Sequence, residues 1–105
     1  MTHAIVQPTS LLEPQCIDQL RLEISYILDA GTKLILLDCR NIEFMNSSSL
    51  GILVTILKQA QRHHSEIILC GLNAQAQRII ELANLDQLFK TYSDCQAFEQ
   101  TLVLA

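Results

Sequence analysis

With 105 residues, half of them apolar, the chain has material for one compact core and too little for two ordinary domains, so residues 1–105 are expected to form a single domain. Its formal charge of -4 and only seven basic side chains, scattered from Arg21 to Lys90, exclude the clustered Lys and Arg surface of a nucleic-acid backbone binder. No apolar run approaches the roughly 18 residues that cross a bilayer, and "MTHAIVQPTS" carries no basic segment ahead of an apolar block, so a cytoplasmic chain with no membrane span and no leader is expected.

Ala4 to Val6 is a short apolar start. Pro14 then opens a segment in which Ile17, Leu20, Ile24, Ile27 and Leu28 recur every three or four residues, the spacing of an amphipathic helix, and Gly31 stops it. "KLILLDC", Lys33 to Cys39, is a continuous apolar run of the kind that forms a strand buried on both faces. A helix is expected from about Ser48 to His63, a second apolar strand from Glu66 to Cys70, and a helix from Ala74 to Ala83 with Ile79, Ile80 and Leu82 inward. An edge strand around Lys90 to Tyr92 and a last helix, capped by Asp94 and carrying Phe98, Leu102 and Leu104, complete the order. Strands alternating with helices specify an α/β arrangement with right-handed crossovers and functional loops at the carboxyl ends of the strands. Leu36, Leu53, Ile56, Leu57, Ile68 and Leu69 are expected to be buried together. The cysteines, Cys16, Cys39, Cys70 and Cys95, are widely spaced and lack a Cys-x-x-Cys pair, so they read as small buried hydrophobes with no metal role.

The loop after the first long strand holds "NIEFMNSSSL", Asn41 to Leu50. A helix start needs one capping group, and Asn46, Ser47, Ser48 and Ser49 offer four. The Gly-x-Ser-x-Gly frame of a nucleophile elbow is absent. His63 and His64 stand near the far end of the same expected helix, on the order of 24 Å away, out of reach of Ser47. Adjacent residues point to different sides of a helix, which disfavours a metal site on the two histidines. Capping is the plain reading of Ser47. The sharper one is that a phosphate on Ser47 would sit among the free N–H dipoles of the helix start, so modification would change the surface without breaking the helix.

Phe44, Ser47, Ser48, Leu50 and Gly51, followed by Leu85, Asp86, Leu88, Phe89 and Tyr92, carry a family likeness. The chain resembles the STAS domain of anti-sigma factor antagonists, whose pattern runs Phe-x-Asp-Ser-(Ser/Thr)-Gly-Leu-Gly and later Leu-Asp-x-Leu-Phe-x-x-Tyr, and the likeness runs from about Pro14 to the C-terminus. It implies a small mixed sheet flanked by helices and a regulator without a catalytic residue, cofactor or metal. It also implies that the unphosphorylated protein binds an anti-sigma factor with serine kinase activity, freeing a sigma factor for transcription, and that a serine phosphatase resets the cycle. The phosphorylated serine carries over to Ser47, with Asn46 and Ser48 as its capping and positioning neighbours. The expected partner surface is Asn46, Ser47, Ser48 and Ser49, with Leu50 or Ile52 as an exposed apolar anchor. Three departures matter: Asn46 replaces the family Asp, Ser49 replaces the first Gly, adding a side chain where a partner approaches, and the chain before Pro14 is short for the usual pair of strands. They keep open a STAS-type adaptor that binds without being phosphorylated. A small-ligand sensor using the same helix start is a further alternative, against which stands the lack of a Gly-rich phosphate loop.

Overall fold

A helix stands between each strand of this chain and the next, and that alternation dictates the sheet. The computed structural model describes residues 3–104, with side chains through residue 102. Strand β1 (Ala4–Val6) leads to α1 (Pro14–Asp29), β2 (Leu34–Asp38), α2 (Ser47–Arg62), β3 (Glu66–Cys70), α3 (Ala74–Leu82), a single 3-10 turn (Leu85–Gln87), β4 (Lys90–Tyr92) and α4 (Cys95–Leu104). Pro14 supplies a fixed φ at the start of α1. At its end Gly31 takes φ +88, which lets the Thr32 amide reach back to the Ile27 carbonyl at 3.3 Å.

The strands lie in the order β1-β2-β3-β4. Every described pairing is parallel, with Ile5 opposite Leu36, Leu36 opposite Ile68 and Ile68 opposite Lys90. The α/β class with flanking helices stands, and the mixed pairing expected of the sheet gives way to parallel pairing because each crossover helix returns the chain to the same end before the next strand starts. Right-handed crossovers that always step in the same direction place their helices on the same side. Thus α1, α2 and α3 bury one face, contributing Leu20, Ile24, Leu53, Ile56 and Ile80 above Ile35, Leu37, Ile67 and Leu69. The opposite face is covered by α4, whose Cys95 and Phe98 pack on Leu34, Leu36, Ile68 and Cys70.

All six residues expected in one buried group are buried. They divide between two clusters, however, because neighbours along a strand point to opposite faces: Leu36 and Ile68 face α4, while Leu53, Ile56, Leu57 and Leu69 share the three-helix side. Asp94 caps α4 as expected, its carboxylate accepting from the Ala97 amide at 2.6 Å. The side chain of Leu104 lies outside the described residues.

Candidate functional site

The carboxyl ends of β2 and β3 lie side by side, with Asp38 paired to Cys70, and from each a loop leads into a helix. The root of the β2 loop is held by charge. The Asp38 side chain is only 4% exposed and accepts from the Arg40 amide at 3.2 Å, the Arg40 Nε at 2.9 Å and the Gln7 amide nitrogen at 3.2 Å. Such a buried carboxylate is tolerated because both of its oxygens are met by hydrogen-bond donors. Gly71, at φ +72, passes so close that a Cβ there would lie 3.2 Å from both Asp38 Oδ1 and the Arg40 nitrogen. Burial, reinforced by the neighbouring Asp38 charge, pushes the Cys39 thiol up to about 12. It is therefore a neutral packing group at neutral pH and no nucleophile. Burial also raises Cys70 and Cys95. Cys16 differs from the expectation for all four cysteines, being only partly buried on α1.

The rest of the loop is fastened by α3. Ile42 and Met45 drop into the core, at 3% and 0% exposed, and their backbone is met by two amide side chains. Asn73 donates from Nδ2 to the carbonyls of Ile42 at 3.3 Å and Glu43 at 2.9 Å while its oxygen caps α3 by accepting from the Ala76 amide at 2.8 Å. Gln75 engages Met45 twice, accepting from its amide at 2.9 Å and donating to its carbonyl at 2.7 Å.

This braced loop delivers Asn46 to the start of α2, and there the four candidate caps separate into two pairs. Asn46 is the N-cap, its Oδ1 accepting from the Ser49 amide at 3.1 Å, and the Ser49 hydroxyl accepts from the Asn46 amide at 3.2 Å. The same hydroxyl donates to the Leu11 carbonyl at 3.2 Å, so Ser49 is wholly buried and ties the start of α2 to the segment before α1. Ser47 and Ser48, between them in sequence, are exposed, and among the described residues neither side chain has a hydrogen-bond partner. As the first helical positions, their amides also lack intrahelical acceptors.

These positions correct several expectations. Ser49, not Ser48, completes the cap, because a capping box needs the third helical residue. Its side chain points inward and adds nothing to the approach surface. Leu50 is 8% exposed and belongs to the core, and Ile52 is partly buried against it, so neither side chain stands out as an apolar anchor. Phe44 does, at 52% exposed. Gly51 lies one turn beyond Ser47 and Ser48 on the same side of α2, exposed, with nothing within 4 Å of where a Cβ would stand. Nothing within the fold therefore requires a glycine there, although glycine weakens a helix interior by roughly 0.5–1 kcal/mol relative to alanine. The bare helix surface leaves room for something outside the chain.

His63 sits at the opposite end of α2, within reach of the Gln59 carbonyl at 3.1 Å and of Asp29 Oδ1 at 3.4 Å. Among the described residues no group of three or more His, Cys, Asp or Glu could hold a metal ion, and no helix is long and apolar enough to cross a membrane. What the site offers chemically is a pair of free hydroxyls on a rigid, Asn-capped helix start. The braces were the part missed from the sequence: Asn73 after Gly71 is legible as a helix cap, but nothing local signals that its other amide end, or Gln75, reaches thirty residues back along the chain.

Residues 3–97 match a family model described as the STAS domain. A candidate anti-sigma factor antagonist from Thermotoga maritima is 34% identical over 65 residues, a match covering 62% of this chain and 58% of that protein. Among solved structures, the anti-sigma factor antagonist SpoIIAA of Bacillus in its unphosphorylated form has a TM-score of 0.76 at 14% identity, covering 100% of this chain and 93% of its own. The STAS domain of a SulP transporter from Vibrio cholerae has a TM-score of 0.75 at 12% identity, covering 90% of this chain and 76% of that one. At those identities the two structures establish the fold alone.

Proposed function

The chain belongs to the STAS domain family, and from that premise we propose that residues 1–105 act as a single anti-sigma factor antagonist domain in the cytoplasm. In its unphosphorylated form it binds an anti-sigma factor with serine kinase activity through the start of α2. Phosphorylation of Ser47 ends that binding, and a serine phosphatase restores it. The chain is a regulator rather than a catalyst. The relative named as a candidate anti-sigma factor antagonist supports the partner class.

The observation that carries this reading is the division of labour at the start of α2: capping is complete in Asn46 and Ser49, so the Ser47 hydroxyl is free of any structural task. A phosphate there adds about -1.5 to -2 charges and three acceptor oxygens. The positive end of the helix dipole and the free amides of the first turn accommodate that charge, so the fold survives. The partner, complementary to a small neutral group beside bare Gly51, would instead have to bury an uncompensated dianion. A penalty of about 1.4 kcal/mol already weakens binding tenfold, and an unpaired buried charge exceeds that.

The test is reaction with ATP and the anti-sigma kinase that the unphosphorylated protein captures, followed by mass-spectrometric mapping. Phosphate is expected on Ser47, release of the partner is expected with it, and Ser47→Ala is expected to stay bound and unlabelled. A specific feature favours a second reading, an adaptor that is never phosphorylated: Asn46 caps as well as Asp would but places no charge beside the target hydroxyl. Phosphate on none of the three serines while the partner still binds would replace the switch with the adaptor.

A further inference from the structure

Beside the start of α2 a groove of about 260 Å³ runs between two segments that are far apart in sequence, residues 9–13 on one wall and 41–44 on the other. Both walls are held in place. On the first, the Ser10 hydroxyl accepts from the amides of Leu12 at 3.0 Å and Glu13 at 3.1 Å, and the Leu11 carbonyl takes the Ser49 hydroxyl. On the second, Asn73 holds the carbonyls of Ile42 and Glu43. The groove is therefore preformed, and the bond from Ser49 to Leu11 ties its first wall to the helix turn that presents Ser47.

Its lining has a distinct chemistry. Leu12 and Phe44, 40% and 52% exposed, face solvent from opposite walls beside the acidic residues Glu13 and Glu43. Among the described residues neither carboxylate has an ion-pair partner, and the one hydrogen bond to the Glu13 carboxylate comes from the Cys16 thiol at 3.7 Å. Arg40, the basic residue nearest in sequence to the second wall, is already engaged by Asp38. Two large apolar groups flanked by two unpaired negative charges complement a segment that is both apolar and basic.

We infer that this groove receives a segment of the partner in which an Arg or Lys stands beside a large apolar side chain. The inference rests on the reading that the partner docks around Ser47, and it supplies what that reading lacks, an apolar contact in place of the buried Leu50 and a charge that orients the partner before the hydroxyl is reached. Attraction between exposed charges acts mainly on encounter and orientation, so salt weakens this contact more than it weakens the apolar part.

The test titrates the isotope-labelled full chain with the peptide acetyl-Gly-Arg-Leu-Phe-Arg-Gly-amide, and with the analogue carrying Glu in place of both Arg, and follows backbone amide shifts. The basic peptide is expected to shift residues 9–13 and 41–44 and to bind about tenfold more tightly than the acidic one. The exposed double substitution Glu13→Lys with Glu43→Lys is expected to reverse that preference while the rest of the spectrum is unchanged. Absence of shifts in the groove, equal binding of the two peptides, or a preference that survives the double substitution would each overturn the inference. The peptide readout needs neither kinase nor phosphate. Partner capture that persists without peptide binding sinks the groove alone, and peptide binding by a chain that Ser47 phosphorylation fails to release from its partner sinks the switch alone.

Discussion

Helices α2 and α3 begin at the ends of neighbouring strands, each capped by an asparagine whose side-chain oxygen accepts from the amide three residues on. There the likeness ends. In α3 the polar groups of the first turn are turned toward the fold: the Asn73 amide holds Ile42 and Glu43, and Gln75 clamps Met45 on both sides. In α2 the position that matches Gln75 is Ser48, and it and its neighbour Ser47 are exposed and engage nothing among the described residues. One helix start is a brace and the other is what it braces. A free hydroxyl can act as a switch only if its position does not depend on its own bonds, and α3 removes that dependence.

Substitutions at the two starts separate these roles. Met45, fully buried between them, is the shared foundation, and Met45→Ala should destabilise the protein by about 2–5 kcal/mol in denaturant unfolding and loosen both starts together. Gln75→Ala leaves the Met45 amide and carbonyl unpaired and should cost about 1–3 kcal/mol. Its signature is faster amide exchange in residues 42–46 with α3 still formed; exchange confined to α3 would show that the brace is local to its own helix. Ser49→Ala removes half of the capping box and the bond to Leu11, for a loss of about 1–2 kcal/mol. Gly51→Ala should go the other way, raising stability by roughly 0.5–1 kcal/mol because a Cβ meets nothing and helix propensity improves. Partner capture should nonetheless weaken, and unchanged capture would remove Gly51 from the approach surface. Ser47→Ala should be smallest, within about 0.5 kcal/mol of the unsubstituted protein in stability. A loss as large as that of Ser49→Ala would mean that Ser47 is structural, and the contrast between the two pairs would collapse.

Much of this was legible in the chain. Pro14, Gly31 and Asp94 mark helix ends through rules that involve only neighbouring residues, and they function as expected. The apolar runs at Leu34–Asp38 and Glu66–Cys70 are continuous because both of their faces are covered, a property that a strand carries in its own composition. The grouping of Leu36 with Leu53 failed for a reason equally local: Leu36 and Leu37 are adjacent, so only one of them can share a face with α2.

The sequence alone determined the order of elements and the family likeness, since each depends on spacing within a few residues or on a motif read in line. Which serine turns inward was decided by tertiary structure. The Ser49 hydroxyl is buried because Leu11, thirty-eight positions earlier, offers it a carbonyl, and the loop before it is rigid because Asn73 and Gln75 arrive from a helix thirty residues later. Four adjacent polar side chains are nearly equivalent as local hydrogen-bonding groups. They become unequal only when long-range packing fixes which of them meets a partner and which is left facing water.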